Sequence, residues 1–511
     1  MNLFRIIKYQ LYLLQLENYE LGRYFKLLFK KGFWPKGEQR KQLVWTAKAK
    51  SLFLMAVGLH ILVVACISFW SVMAAVIIGL LFLTTYYLLF TTALLLLWPV
   101  DFLLKQIVIA RAKSKILNLK SQIKVIGIAG SYGKTTMKEV LKQVLGIRYK
   151  VLGTPESVNT PVGIARWILK NFPSSNNYSN TLSAASKAAS PPEGEKNIEV
   201  ALVEMGEHYK GDIEKICNIV KPDISVVTGI NESHMERMHT MGTIVETIFE
   251  IVSNTKAGGI VMLNGDDEKV MKHYKEYVWP DHRVKQFQIS NFKFQKFSSE
   301  QLCWDAEIEG VGKVNIYLLG EYALGDVDAA VKISKSLGMN GEEIKRGIEN
   351  IKPVKHRLEP IRSAGDILVI DDAYNGNPDG VKEAIKVLSR FENRRKVFIT
   401  PGLVEMGKAS KEIHFKIGQQ LAGVADVVVL IKNSVTGFIE EGINSVVIAR
   451  SAADKAISSG SKIAAPSDAL GLAMTKVIWF ETAQAAHSSL STILKPGDVV
   501  IFQNDWGDNY V

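Results

Sequence analysis

GIAGSYGKTT, Gly127 to Thr136, decides how the rest of the chain is read. It starts inside an apolar strand-like run, Val125 to Ala129, and ends before a helix-like one, Met137 to Leu145. A glycine-rich turn between a strand and a helix presents backbone N–H groups to phosphate oxygens at the positive end of the helix. Gly130, Ser131, Tyr132, Gly133, Lys134, Thr135 and Thr136 are therefore the candidate nucleotide-binding residues. Lys134 is suited to reach terminal phosphates and the Thr135 hydroxyl to ligate Mg²⁺. The general pattern asks for glycine five residues before Gly133, where Ile128 stands; the extra glycine comes at Gly130. This is a variant P-loop.

The net charge of +11 is not spread evenly over the 511 residues. Residues 1–50 hold eleven Lys/Arg against three acids, residues 51–100 hold no charge, and residues 101–125 hold six Lys/Arg against Asp101. Everything beyond is slightly acidic, so the basicity does not mark a nucleic-acid partner. Cys66, Cys217 and Cys303 form no CxxC pair and indicate neither zinc nor a disulfide framework.

Ser51 to Val100 is one uncharged run, long enough for two membrane crossings at about 20 residues each. Lys48 and Lys50 before it and Lys105, Arg111, Lys113 and Lys115 after it place both ends in the cytoplasm. The expectation is a multi-pass hairpin in the cytoplasmic membrane, with a tight turn near Ser68–Ser71 and the remainder in the cytoplasm. Residues 1–50 read as basic amphipathic helix: Leu11, Leu14, Leu21, Phe25 and Leu28 share a face interrupted by Asn18. FKLLFKKGFW suits anionic membrane lipid. A helix that contacts protein is the alternative.

From residue 121 short apolar runs alternate with helical patterns, which argues α/β with mainly parallel strands. Strands are expected at Lys124–Ala129, Ile198–Val203, Ile224–Thr228, Gly259–Leu263, Ile367–Ile370, Lys396–Ile399, Val427–Ile431, Ser445–Ile448 and Val499–Phe502. The polar stretch Asn171–Asn197 reads as a surface loop. Four regions result: 1–50, 51–100, a P-loop central domain over 121–355, and a Rossmann-like C-terminal α/β domain over 356–511.

Further motifs follow in order: TPESVNTPVG (Thr154–Gly163), EMGEHYKGDI (Glu204–Ile213), KPDISVVTGINESHMERM (Lys221–Met238), LNGDDE (Leu263–Glu268), HRLE (His356–Glu359) and DDAYNGNP (Asp371–Pro378). Glu204 ends an apolar strand beside the P-loop, where a carboxylate meets Mg²⁺. His234 follows another strand end at the same edge. Asn159 and Thr160 precede a helix, where they either cap it or face a substrate. With GSYGKTT, these motifs resemble the Mur ligase family over Ile123–Ile501, and DDAYNGNP resembles its D-Ala-D-Ala-adding branch.

The resemblance implies an ATP-dependent, ADP-forming carboxylate–amine ligase of cell-wall precursor synthesis that works through an acyl phosphate. ATP and Mg²⁺ are the implied cofactors; a muropeptide acceptor and a D-Ala-D-Ala-like amine donor are the implied substrates. It implies Thr135, Glu204 and His234 as metal ligands, and Arg357, Asp372 and Tyr374 as ATP contacts. Lys134, Glu204, His234 and Arg357 become the catalytic set. Asn159, Thr160, Asn375 and Asn377 would face substrate. A related ligase with another amino acid donor, and a nucleotide-binding scaffold with degraded catalysis, are the alternatives.

Three departures stand out. The family's carboxylated lysine is replaced by Ile248, and neither Glu246 nor Glu250 shares its helical face, being roughly 200° away. The second metal site is expected to be weakened and activity to be indifferent to bicarbonate. Tyr322, Ala323 and Asp326 replace the family's His-Asn and following Asn, and the Lys-Gly-Ser-Arg ending is missing. The expected membrane hairpin stands where the family has its UDP-gripping domain, which implies a lipid-linked or otherwise membrane-proximal acceptor.

Overall fold

The computed structural model describes residues 3–17, 19, 21–31, 43–68, 72–119, 122–173, 198–207, 209–232, 235–374, 376–404, 406–458 and 475–503. The chain divides into two compact units, one built on residues up to Val108 and one running from Ile109 to Trp506.

The first unit is helical: α1 (Leu3–Leu16), α2 (Leu21–Lys31), α3 (Ala47–Ser68) and most of α4 (Val72–Asn118). The amphipathic helical region expected over residues 1–50 forms α1 and α2, separated between Leu16 and Leu21, and its apolar face folds back on itself. Ile7, Leu11 and Leu14 of α1, Tyr24 and Leu28 of α2, and Leu52 and Ala56 of α3 form one buried cluster. Part of the uncharged run thus serves as a protein core rather than a lipid-facing surface. Asp101 is held between Lys48, at 2.6 Å, and Lys105, at 3.1 Å, which ties charged groups to both flanks of the run. Among the described residues no helix is long and apolar enough to cross a membrane. That overturns the expected transmembrane hairpin and the location in the cytoplasmic membrane. The lipid partner and lipid-linked acceptor lose their support with it. Residues 69–71 of the expected turn near Ser68–Ser71, and residues 32–34 at the end of the FKLLFKKGFW stretch, lie outside the described residues.

The second unit is mixed α/β. Its first sheet is wholly parallel, in the order β2-β3-β1-β4-β5-β6. The strands are β1 (Lys124–Ala129), β2 (Val151–Gly153), β3 (Val200–Glu204), β4 (Ile224–Val227), β5 (Ile260–Asn264) and β6 (Arg283–Phe287). Strands covered on both faces read as continuous apolar runs, and β3 and β4 are buried along their whole length. Between them run α5 (Lys134–Leu145), α6 (Pro161–Asn171), α7 (Asp212–Val220) and α8 (Met241–Ser253). The chain leaves β1 for one side of the sheet, through β2 and β3, and later for the other, through β4. The cleft beyond the C-terminal ends of β1, β3 and β4 is thus a topological switch point, where α/β sheets bind ligands.

An antiparallel sheet, β7 (Phe292–Ser298), β8 (Cys303–Ile308) and β9 (Gly312–Ile316), follows; its mixed polar pattern hid it from sequence reading. Helices α9 (Tyr322–Ser336) and α10 (Gly341–Glu349) complete this part.

The last sheet has the order β10-β11-β15-β12-β13-β14, antiparallel only at β10. Its strands are β10 (Glu359–Arg362), β11 (Leu368–Asp372), β12 (Lys396–Thr400), β13 (Val427–Ile431), β14 (Lys476–Phe480) and β15 (Val499–Gln503). Helices α11 (Pro378–Ser389), α12 (Ser410–Leu421) and α13 (Thr436–Ser458) connect them. The expected strand Ser445–Ile448 lies inside α13. Its apolar Val446 packs into the core under this sheet from a helix, so a short apolar run there was read with the wrong period. The loop expected over Asn171–Asn197 lies largely outside the described residues.

Candidate functional site

Ser131 donates its backbone N–H to the Gly229 carbonyl at 2.8 Å, which ties the turn after β1 to the loop after β4. Gly130 adopts φ +147°, and a Cβ there would come within 2.2 Å of Thr228 Oγ1. Glycine is needed at 130 for both reasons, which accounts for the altered motif. Thr228 donates its hydroxyl to the Tyr132 carbonyl. The Tyr132 side chain lies against Gly229, where any Cβ would fall within 2.4 Å of two ring carbons and the phenol oxygen. The Tyr132 hydroxyl donates to Asp267 Oδ2 at 2.9 Å. Burial first, then the charges of Asp267 and Asp379, push this phenol far up.

α5 starts at Lys134 with no side-chain cap on its first turn. The Lys134 ammonium donates to the Gly130 carbonyl and to Glu207 Oε1, the latter at 2.7 Å. Thr135 donates its hydroxyl to Glu204 Oε1 at 3.2 Å, and Lys138 donates to Glu204 Oε2 at 2.9 Å. The Glu204 backbone N–H donates to Thr154 Oγ1 at 3.1 Å. The strand end, the P-loop helix and the TPESVNTPVG segment thus meet at one residue, Thr135 and Lys138 at its carboxylate and Thr154 at its backbone N–H. Thr135 and Glu204 offer hard oxygen donors side by side, a set that fits Mg²⁺. The expected third ligand, His234, lies outside the described residues, as does Asn375.

Thr160 caps α6, accepting from the Gly163 N–H at 3.2 Å. Asn159 turns its carbonyl to the Gly206 N–H at 2.9 Å. Of the two readings left open for this pair, the structure gives Thr160 the capping one.

Arg357 enters from the start of the last domain. His356 and Leu358 on either side have φ of +56° and +46°, strained for residues with side chains. The Arg357 guanidinium lies 4.9 Å from the Tyr374 ring centroid and donates to the Tyr374 carbonyl at 2.7 Å. The Tyr374 hydroxyl meets Ser157 Oγ at 3.2 Å, across the domain junction. Asn231 Nδ2 also crosses it, donating to Asn377 Oδ1 at 3.1 Å and Asp379 Oδ2 at 2.8 Å. Asn377 caps α11 with the same oxygen. Asp372 is half-buried: desolvation pushes its carboxyl up to about 7, against the pull of Arg357 and the Leu358 N–H. Asp326, on α9, is buried, and its Oδ2 has no hydrogen-bond partner among the described residues. Burial holds its carboxyl well above the ordinary range. His356, Glu359 and Asp371 also cluster. They satisfy one another, with His356 Nδ1 2.7 Å from Asp371 Oδ2 and the His356 N–H 3.1 Å from Glu359 Oε2.

Ile248 on α8 is fully buried with Ile244, Ile251 and Val252. Glu246 pairs with Lys210 at 2.6 Å, and Glu250 accepts from the Gly211 and Glu214 N–H groups at 2.6 and 2.9 Å. Neither carboxylate takes the place of the missing lysine. Sequence reading overlooked Glu207, Lys138, Asn231 and Asp267. The first two had a signal: Glu207 follows Glu204 by three residues, and Lys138 lies one helical turn beyond Lys134.

A P-loop α/β domain with a second α/β domain facing the loop defines the class of protein. The chain matches the Mur ligase middle domain over residues 128–332 and the Mur ligase glutamate ligase domain over residues 356–503. It belongs to the Mur ligase family. Among similar proteins, the UDP-N-acetylmuramoyl-tripeptide–D-alanyl-D-alanine ligase of Bacillus subtilis is 27% identical over 325 residues, 62% of this chain and 65% of that protein. The Escherichia coli ligase of the same name is 24% identical over 357 residues, 67% of this chain and 73% of that one. The chain therefore spans just under two thirds of the Bacillus subtilis relative's length. Among solved structures, MurF from Acinetobacter baumannii superposes with a TM-score of 0.60 at 22% identity, over 79% of this chain and 77% of that one. MurF ligase from Thermotoga maritima in complex with ADP also gives 0.60, at 23% identity, over 78% of this chain and 80% of that one. These superpositions establish the shared fold.

Proposed function

We propose that this protein is an ATP-dependent carboxylate–amine ligase that joins a D-Ala-D-Ala-like amine to a muropeptide carboxyl group. The observation that carries the proposal is the Thr135–Glu204 hydrogen bond at the C-terminal end of β3, with Tyr374, on which Arg357 is held, bonded across the domain junction to Ser157. The names of the curated relatives supply the donor and supply UDP-N-acetylmuramoyl-tripeptide as the acceptor to test first.

The acceptor carboxylate oxygen attacks the γ-phosphorus of ATP, the bond to ADP breaks, and an acyl phosphate forms. The donor amine attacks the acyl carbon, inorganic phosphate leaves, and the nitrogen gives up a proton. Such chemistry rests on positioning and on neutralising phosphate charge. Lys134 and the P-loop N–H groups hold the phosphates. Thr135 and Glu204 hold Mg²⁺, which when bound neutralises phosphate charge. Arg357, its guanidinium fixed over Tyr374, faces the cleft from the C-terminal side. Hydrogen bonds at Ser157–Tyr374 and Asn231–Asn377 span the domain junction, where closure brings the two halves of the site together. The central domain over 121–355 and the C-terminal domain over 356–511 share the site.

Mass spectrometry of products from the full-length protein with ATP, UDP-linked tripeptide and D-Ala-D-Ala tests the reading. An adduct of acceptor and donor with stoichiometric ADP and phosphate supports it. An adduct only with another amine assigns a different donor. Nucleotide binding without acceptor-dependent phosphate release makes the protein a scaffold.

A further inference from the structure

The phosphate-binding lysine already has an anionic partner. Lys134 and Lys138 stand one turn apart on α5, and Glu204 at the end of β3 and Glu207 three residues beyond it pair with Lys138 and Lys134 respectively. Lys138 takes Glu204 at 2.9 Å and Lys134 takes Glu207 at 2.7 Å. Glu207 is 2% exposed, so this is a buried charge pair and not a loose surface contact. In such surroundings an ion pair is screened little by water. The phosphates of an incoming nucleotide need the same ammonium that Glu207 holds.

We propose that Glu207 is a positioning residue for Lys134: its carboxylate fixes the ammonium over the P-loop and competes with nucleotide phosphates for it. The proposal rests on the P-loop reading given under Proposed function. Two effects follow from one carboxylate. It lowers ground-state affinity, because a bound nucleotide must share or displace the ion pair and accept a like charge nearby. It also raises turnover, because an ammonium fixed by both Glu207 and the Gly130 carbonyl meets the transferring phosphoryl group in a set direction, whereas a lysine left with the Gly130 carbonyl alone is less narrowly directed. Glu204 does not substitute for it, since both of its oxygens are taken by Thr135 and Lys138.

The test uses full-length wild type, Glu207→Gln and Glu207→Asp, with circular-dichroism melting to establish folding. Calorimetry measures Kd for ADP and for a non-hydrolysable ATP analogue, and steady-state assays give KM for ATP and kcat. Glu207→Gln keeps the shape and removes the charge. Its Kd for both nucleotides is expected to fall on the order of tenfold, with KM falling and kcat falling as well. Glu207→Asp, drawn back by one methylene, is expected to fall between the two. A residue needed only for packing would lower kcat without tightening nucleotide binding. Unchanged or weaker nucleotide affinity in folded Glu207→Gln overturns the proposal. If that variant does not fold, unchanged or weaker affinity in Glu207→Asp does the same. Failure of the wild type to bind nucleotide removes the P-loop reading itself, and the proposal with it.

Discussion

Replacing Lys138 by methionine isolates the ion pair that organises the site. The Lys138 side chain is 1% exposed and that of Glu204 11% exposed, with 2.9 Å between the charged atoms. Methionine fills a similar volume, so little cavity forms and the main loss is electrostatic. Removing one partner of a buried pair leaves the other charge uncompensated, at about 3–5 kcal/mol. Glu204 keeps the Thr135 hydroxyl at 3.2 Å and retains some surface, which favours the lower end, ~3 kcal/mol. With a urea m-value of about 3 kcal/mol/M, the midpoint of the transition for this domain drops by about 1 M. Replacing both partners, Lys138→Met with Glu204→Gln, removes the orphaned charge and is expected to recover most of that loss. Urea unfolding of the four proteins of this double-mutant cycle, followed by tryptophan fluorescence, supplies the numbers. A single-variant shift under about 0.3 M, or a double variant whose loss is the sum of the singles, would refute the reasoning.

Other expected outcomes follow from the same geometry. Turnover is expected to be indifferent to added bicarbonate, because Ile248 sits in an apolar face and Glu246 and Glu250 are engaged elsewhere; a marked rate rise in bicarbonate titration counts against this. The Asp372 carboxyl is raised to about 7 from 3.8, so its contribution to stability is full below about pH 4 and is lost as pH rises through about 7. Asp372→Asn should therefore gain stability relative to wild type between pH 4 and pH 8, and parallel melting curves across that range would sink the assignment. Gly229→Ala drives a methyl group into the Tyr132 ring and is expected to cost on the order of 1–3 kcal/mol and to weaken nucleotide binding; calorimetry and melting check both.

The P-loop was legible because its chemistry is local: glycine, lysine and threonine at fixed offsets between an apolar strand and a helix. The position of Glu204 was legible for a similar reason, since the end of a parallel strand next to that loop is a defined place. Residues whose meaning depends on what folds against them were not. The spacing of Glu207 after Glu204 hints at a role but not at its partner Lys134, and nothing in the sequence says that Asn231 bridges to Asn377 and Asp379. The strands β7 to β9 carry mixed polar faces and no clean alternation, so they left no pattern to read. The uncharged run before residue 100 misled for a physical reason. Apolar length alone does not separate a segment solvated by lipid from one that covers another helix, and Leu52 and Ala56 close over α1.

The central claim is that Lys134 holds the phosphates of a nucleotide that activates a carboxyl group. Equilibrium binding of a fluorescent ATP analogue to wild type and Lys134→Ala, with acceptor-dependent phosphate release measured on the same samples, addresses it most directly. Wild type is expected to bind tightly in a magnesium-dependent way and to release phosphate on addition of acceptor. Lys134→Ala is expected to lose release by about a hundredfold or more. Turnover by Lys134→Ala at the wild-type rate would contradict the claim.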